Sequence, residues 1–185
     1  MERSIRDRNI LDKFCEDFCH IIERHCRYIV VSGFLAIASG RTRGTEDIDM
    51  IIERVNLDKF KKIFFDLLTN GFVCMQSNKP EIAYEYLQDN TSVRFTRKDK
   101  PLPEMEVKLA KDLLDEYQIN NREKLKLTKL DVWFSNINVN VAFKEELLKS
   151  PKDLEDAQHL RIVYSEKMNE AEIDRIKALI RRYRL

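Results

Sequence analysis

No stretch of this 185-residue sequence approaches the roughly 20 consecutive apolar residues of a membrane-spanning helix, so a protein outside the bilayer is expected. The opening segment MERSIRDRNILDKF is charged and has no apolar signal-peptide core, which makes the cytoplasm the expected compartment. Net charge is almost absent too: 33 basic and 32 acidic residues leave +1. Such balance excludes a global attraction to nucleic acid or membrane, so any phosphate-binding surface must be local. Internal repeats, low-complexity stretches and linkers are also missing. Cys15, Cys19 and Cys26 share a segment with His20 and His25, but without the two separated pairs of a zinc site. Cys15, Phe18, Cys19, Ile22 and Cys26 instead fall on one apolar helical stripe and read as core, and cytosolic disulfides are not expected.

What is present is an ordinary globular composition, 43% hydrophobic and 35% charged. The length suits a single domain over 1–185, with a core over about 27–135 and C-terminal helices over about 141–185. Helical spacing over residues 5–26 aligns Ile5, Leu11, Phe14, Phe18, Ile21 and Ile22. Residues 28–31 form a short apolar run that predicts a buried strand. Ser32-Gly33 breaks it, a short helix follows and Gly40 closes that helix. A strand is expected over residues 46–53 and a helix capped by Asn56 or Asp58, ending at Asn70-Gly71. Further strands are expected over 72–76, around 92–95, over 105–109 and over 129–135. Pro101-Leu102-Pro103 reads as a loop, and residues 112–128 give no clear pattern. From Val141 onward the pattern is helical, with Ser150-Pro151-Lys152-Asp153 and Asn169 with Glu172 as helix starts. Strands interleaved with helices, then helices alone, predict an α/β (α+β) fold in which a mixed sheet is flanked by helices.

Asp47-Ile48-Asp49 concentrates the chemistry. A strand period of two puts both carboxylates on one face, roughly 7 Å apart. Like charges that close repel, and a divalent cation such as Mg²⁺ relieves them, as does simple exposure on an edge strand. The upstream residues favour the cation. A Ser32-Gly33 turn leading into a helix can present backbone N–H groups to phosphate oxygens. Arg41 and Arg43, between that turn and the acids, can pair with phosphate.

In this order of elements the segment resembles the polymerase-β-like nucleotidyltransferase superfamily, and within it the small prokaryotic AbiEii-like and antitoxin-type branch. That branch follows a pattern of roughly GGxAlxxhGxxRxTxDID. Without a gap, Ser32 and Gly33 fall on its paired glycines, Gly40 on the next glycine, Arg43 on the arginine, Thr45 on the threonine, and Asp47 and Asp49 on the acids. The first glycine of the pair is a serine here. More weakly, Lys144 ahead of residues 150–157 (SPKDLEDA) resembles the family's lysine followed by KDxxDA, a stretch that equally reads as helix capping at Lys152, Asp153 and Asp156.

The resemblance implies transfer of a nucleoside monophosphate from an NTP such as ATP to an acceptor hydroxyl, with release of pyrophosphate. Asp47 and Asp49 would hold two Mg²⁺ ions, with Mn²⁺ as a substitute. The third carboxylate, a metal ligand and general base, is Glu106 in MEVKL or, as the alternative, Asp131 in KLDVWF. Ser32, Gly33, Arg43, Thr45 and Lys144 form the implied nucleotide- and phosphate-binding set. The acceptor (a small molecule, a protein or tRNA) stays open. So does RNA contact by Arg181-Arg182-Tyr183-Arg184, which also reads as a solvated helix end. The competing functional class is a protein-binding module, either an antitoxin-like partner of a small helical toxin or a degenerate nucleotidyltransferase fold.

Overall fold

The structure, a computed structural model, describes residues 5–185, with side chains from Ile10 onward; the expected packing of Ile5 lies outside them. Helix α1 (Ile5–Glu23) leads into strand β1 (Tyr28–Val31), the short helix α2 (Gly33–Ala38) and strand β2 (Asp47–Ile52). Helix α3 (Leu57–Thr69), strand β3 (Phe72–Cys74), helix α4 (Pro80–Gln88) and strands β4 (Val93–Arg97) and β5 (Lys100–Leu109) follow. Helices α5 (Leu113–Asn120), α6 (Ile137–Phe143), α7 (Pro151–Val163) and α8 (Glu170–Arg184) complete the chain. Helix α6 continues as a π-helical turn over Lys144–Leu148. No helix among the described residues is long and apolar enough to cross a membrane.

The five strands form one mixed sheet in the order β1-β2-β5-β4-β3. Strand β2 runs antiparallel to β1 and parallel to β5, and β4 and β5 are antiparallel. Period-two alternation divides the sheet into two faces. Ile48, Met50, Ile52, Met105 and Val107 enter the main core, where Phe18, Phe64, Phe72 and Phe95 pack ring against ring. Cys15, Cys19 and Cys26 are buried in that core, as their helical stripe predicts. The opposite face carries Asp47, Asp49 and Ile51. Ile51 and Val31 pack there against a small cluster of Ile29, Ala110 and Ile119.

The expected caps are present: Asn56, Ser150 and Asn169 accept from the backbone N–H groups of Lys59, Asp153 and Glu172. Three segments differ from the sequence expectation. Strand β5 starts at Lys100 and runs through Pro101 and Pro103, the predicted loop. Both prolines fall between the Arg97–Lys100 and Thr96–Glu104 pairs, at a register shift where no ladder N–H is needed. Residues 129–135 alternate as expected, burying Val132 and Phe134, yet they form only isolated bridges from Phe134 to Val30 and Glu123. The Trp133 N–H goes to the Tyr28 hydroxyl rather than to a ladder carbonyl. The helical C-terminal part starts at Ile137, four residues earlier than Val141, with Asn136 as its cap.

Candidate functional site

The parallel register of β2 and β5 sets Asp47 beside Glu104, Asp49 beside Glu106 and Ile51 beside Lys108. Glu106 thus stands next to the Asp47–Asp49 pair, one strand over. Asp131 does not: it is exposed, accepts from Lys124 Nζ at 2.6 Å and lies 3.7 Å from His20.

The turn before α2 brings the other residues in. Ser32 has φ 68° and ψ −140°, a backbone conformation that suits glycine and costs a serine ~1–3 kcal/mol. Its side chain does not cap α2 and acts instead to lower the Asp49 carboxyl pKa. Gly33 follows in close contact with Arg43: a Cβ there would displace the guanidinium, whose Cζ would stand at 2.8 Å. Arg43 Nη2 lies 3.3 Å from Asp156 Oδ2, and its buried Nε has no hydrogen-bond partner. Thr45 Oγ1 donates to Asp47 Oδ1 at 2.7 Å and so orients that carboxylate. Ser32, Gly33, Arg43, Thr45, Asp47 and Asp49, joined by Lys152, line one polar cleft of about 330 Å³.

Lys144 stands apart from this cleft. It is buried, 3.3 Å from Asp153 Oδ1 and 2.9 Å from Asp156 Oδ2. Asp156, with no exposed surface, also takes Arg41 and Arg43, and Arg41 further pairs with Glu155. Asp156 is therefore a buried hub that ties the 41–45 loop to α7, where the sequence read helix capping. Lys144 borders a second cavity of about 310 Å³, walled by Val31, Ile51, Phe143 and Leu147 and by Lys108 and Arg184. Ser32 and Asp49 line both cavities. Arg184 is bound to Asp112 and Asp115 and Arg181 to Glu146, so the basic C-terminus is partly tied down rather than wholly solvated.

Electrostatics separate the two acidic strands. Burial pushes the Asp49 carboxyl up; Lys108 draws it down, while Glu106 and Asp47 raise it further, so it stays above the usual range. Burial also acts to raise Glu106, but the hydrogen bond and charge of Lys108, with Ser92 and Arg94, outweigh it and hold Glu106 low. Lys108 Nζ is 2.7 Å from Glu106 and 3.9 Å from Asp49, and Arg94 reaches Glu106 at 3.2 Å and Glu104 at 3.4 Å. Asp47 and Asp49 offer the hard oxygen donors that suit Mg²⁺. Among the described residues, no three His, Cys, Asp or Glu side chains group closely enough to hold an ion.

Sequence reasoning passed over Lys108, Arg94, Glu104 and the hub role of Asp156. Lys108 had a signal, since it alternates with Glu106 along β5 and must share its face.

No protein-family model and no curated protein matches the sequence. Solved structures do match it in fold. The solution structure of the antibiotic-resistance factor ANT(2'')-Ia aligns over 94% of this chain and 92% of its own, with a TM-score of 0.58 and 12% identity. The crystal structure of ANT(2'')-Ia with adenylyl-2''-tobramycin aligns over 93% and 97%, with a TM-score of 0.57 and 13% identity. An antigenic nucleotidyltransferase-like protein from Paracoccidioides brasiliensis aligns over 93% and 88%, with a TM-score of 0.54 and 16% identity. The chain has a nucleotidyltransferase-like fold. That fold extends over nearly the whole chain.

Proposed function

We propose that this nucleotidyltransferase-like chain is a metal-dependent enzyme that moves a nucleoside monophosphate from an NTP to an acceptor hydroxyl and releases pyrophosphate. The observation that carries the reading is the polar cleft, in which the Ser32-Gly33 turn, Arg43, Asp47 and Asp49 meet on one side of a strand that places Glu106 alongside. The AbiEii-like branch rests on the residue spacing over 32–49 and belongs to the same proposal.

In this reading the start of α2 and the guanidinium of Arg43 bind the β- and γ-phosphates and offset charge on the departing pyrophosphate. Asp47 and Asp49 would hold a divalent cation, which when bound would supply Lewis-acid activation of the phosphate and of the acceptor hydroxyl. Thr45 keeps the Asp47 carboxylate oriented through its hydrogen bond. Glu106, kept anionic, accepts the acceptor's proton directly or through water. The second cavity, reached at Asp49, gives a partly apolar chamber for the nucleoside or the acceptor. The neighbour's adenylylated tobramycin makes a small-molecule acceptor the first class to try, ahead of a protein or tRNA.

The test has two parts: thermal shifts with each NTP, with and without Mg²⁺, and transfer of α-labelled NMP to candidate acceptors. Mg²⁺-dependent stabilisation and transfer, both lost in Asp49→Asn, are expected. Full transfer by Asp49→Asn would remove the assignment. One observation favours a second reading, a fold used for binding alone: the Lys108 and Arg94 contacts that already satisfy Glu106. That reading predicts a nucleotide shift without transfer.

A further inference from the structure

The acid-bearing face holds two rows of carboxylates, and the β5 row has the closer cation contacts. Strand β5 presents Glu104, Glu106 and Lys108 to the same side, opposite Asp47, Asp49 and Ile51 of β2. Lys108 folds back along its strand to Glu106 Oε1 at 2.7 Å, and its ammonium also lies 3.9 Å from Asp49 Oδ1. The other oxygen of Glu106 lies 3.2 Å from Arg94, which at 3.4 Å serves Glu104 too. Lys108 and Arg94 therefore occupy the Glu106 side of the face, with the Lys108 ammonium between Glu106 and Asp49, whereas Asp47 and Asp49 open onto the cleft.

We propose that Lys108 supplies the second positive charge of this site, so that Asp47 and Asp49 take a single divalent cation and Glu106 stays with the lysine. The proposal deepens the nucleotidyl-transfer reading and rests on it for the identity of the site. A second ion bound about 3.5–4 Å from the first, as in two-metal sites, would have to sit between Asp49 and Glu106. That space faces the ammonium, so two further units of positive charge would meet Lys108 at close range. Removing Lys108 lifts this barrier and frees Oε1 of Glu106 as a ligand, Arg94 keeping the other oxygen.

Mn²⁺ binding to the full chain without nucleotide, counted by electron paramagnetic resonance of the free ion, tests the proposal. Wild type should saturate at one Mn²⁺ per chain and Asp49→Asn should bind none. Glu106→Gln should still bind one, and so should Lys108→Arg. Lys108→Met, checked for folding by circular dichroism, should saturate at two. Wild type saturating at two, Glu106→Gln losing Mn²⁺, or Lys108→Met staying at one would each overturn the proposal. Labelled NMP transfer measured in parallel separates the two claims. One Mn²⁺ without transfer removes the enzymatic reading and leaves Lys108 in place, whereas two Mn²⁺ with transfer does the reverse.

Discussion

Asp156 has no exposed surface, and Arg41, Arg43 and Lys144 all converge on it. Replacing it with alanine leaves Lys144 with Asp153 at 3.3 Å and Arg41 with Glu155, but leaves Arg43 with no carboxylate partner. Lys144 and Asp156 are 2.9 Å apart, which at an effective dielectric of 20 corresponds to an attraction of about 6 kcal/mol before desolvation is subtracted. Breaking a buried pair from one side costs about 3–5 kcal/mol, because the stranded charge cannot regain water. At about 2–4 °C per kcal/mol for a chain of this size, Asp156→Ala should lower Tm by roughly 6–20 °C. Lys144→Met should cost less, since Asp156 keeps two arginines. The double variant should be milder than the sum of the singles, since both singles remove the same Lys144–Asp156 pair. Thermal and guanidinium unfolding of the three variants give these numbers. Asp156→Ala within about 1 kcal/mol of wild type, or milder than Lys144→Met, would refute the hub.

At Asp49 burial and two neighbouring carboxylates oppose ionisation, so Asp49→Asn should raise Tm by about 2–4 °C in chelator at neutral pH. Divalent cation should then narrow that gap, because wild type alone gains; an Asn variant less stable than wild type in chelator would count against the arrangement. Ser32→Gly should relieve the strain at φ 68° and raise Tm by about 2 °C, and a fall would show that the hydroxyl contact to Asp49 outweighs the backbone. Lowered carboxyls set the acid limb, Glu145, Asp112 and Asp153 among them. Glu145 is held down by its hydrogen bonds to Arg161 and Lys177, against burial. Asp112 and Asp153 are lowered because Arg184 and backbone N–H groups, and Ser150 with Lys144, outweigh burial. Each folded pKa lies below the unfolded value, so their stabilisation is full above the ordinary carboxyl range and fades as pH falls through the folded values. A pH series of unfolding midpoints should therefore drop below about pH 4.5, and the Glu145→Gln variant should drop less steeply.

The fold was legible wherever a local signal decided it. Asn56, Ser150 and Asn169 cap helices because each side chain meets an N–H only three residues away. Strand β2 was legible because its alternation sorts Ile48, Met50 and Ile52 into the core against two acids outside. Where the deciding partner is distant, the reading stopped short. Whether residues 129–135 become a strand depends on how much of the β1 edge is available, and the Tyr28 hydroxyl takes one of its N–H groups. The prolines of β5 are harmless only because a register shift with β4 falls on them. Helix α4 carries a proline at its first turn but no capping side chain, so its start has little to mark it.

The same division runs through the candidate site. The residues contributed by 32–49 are close in sequence, and their spacing alone brings them into one cleft. Glu106 was narrowed to one of two strands, and the parallel register then placed it. What spacing could not convey is charge compensation between strands. Arg94 lies on β4, Glu106 and Lys108 on β5 and Asp49 on β2, so their mutual distances exist only once three strands are aligned. A carboxylate motif read along the chain counts ligands and omits the cations that neighbouring strands bring to them. Here Lys108 and Arg94 contact Glu106 while Asp47 and Asp49 open onto the cleft, and that difference is the ground on which one ion rather than two is proposed.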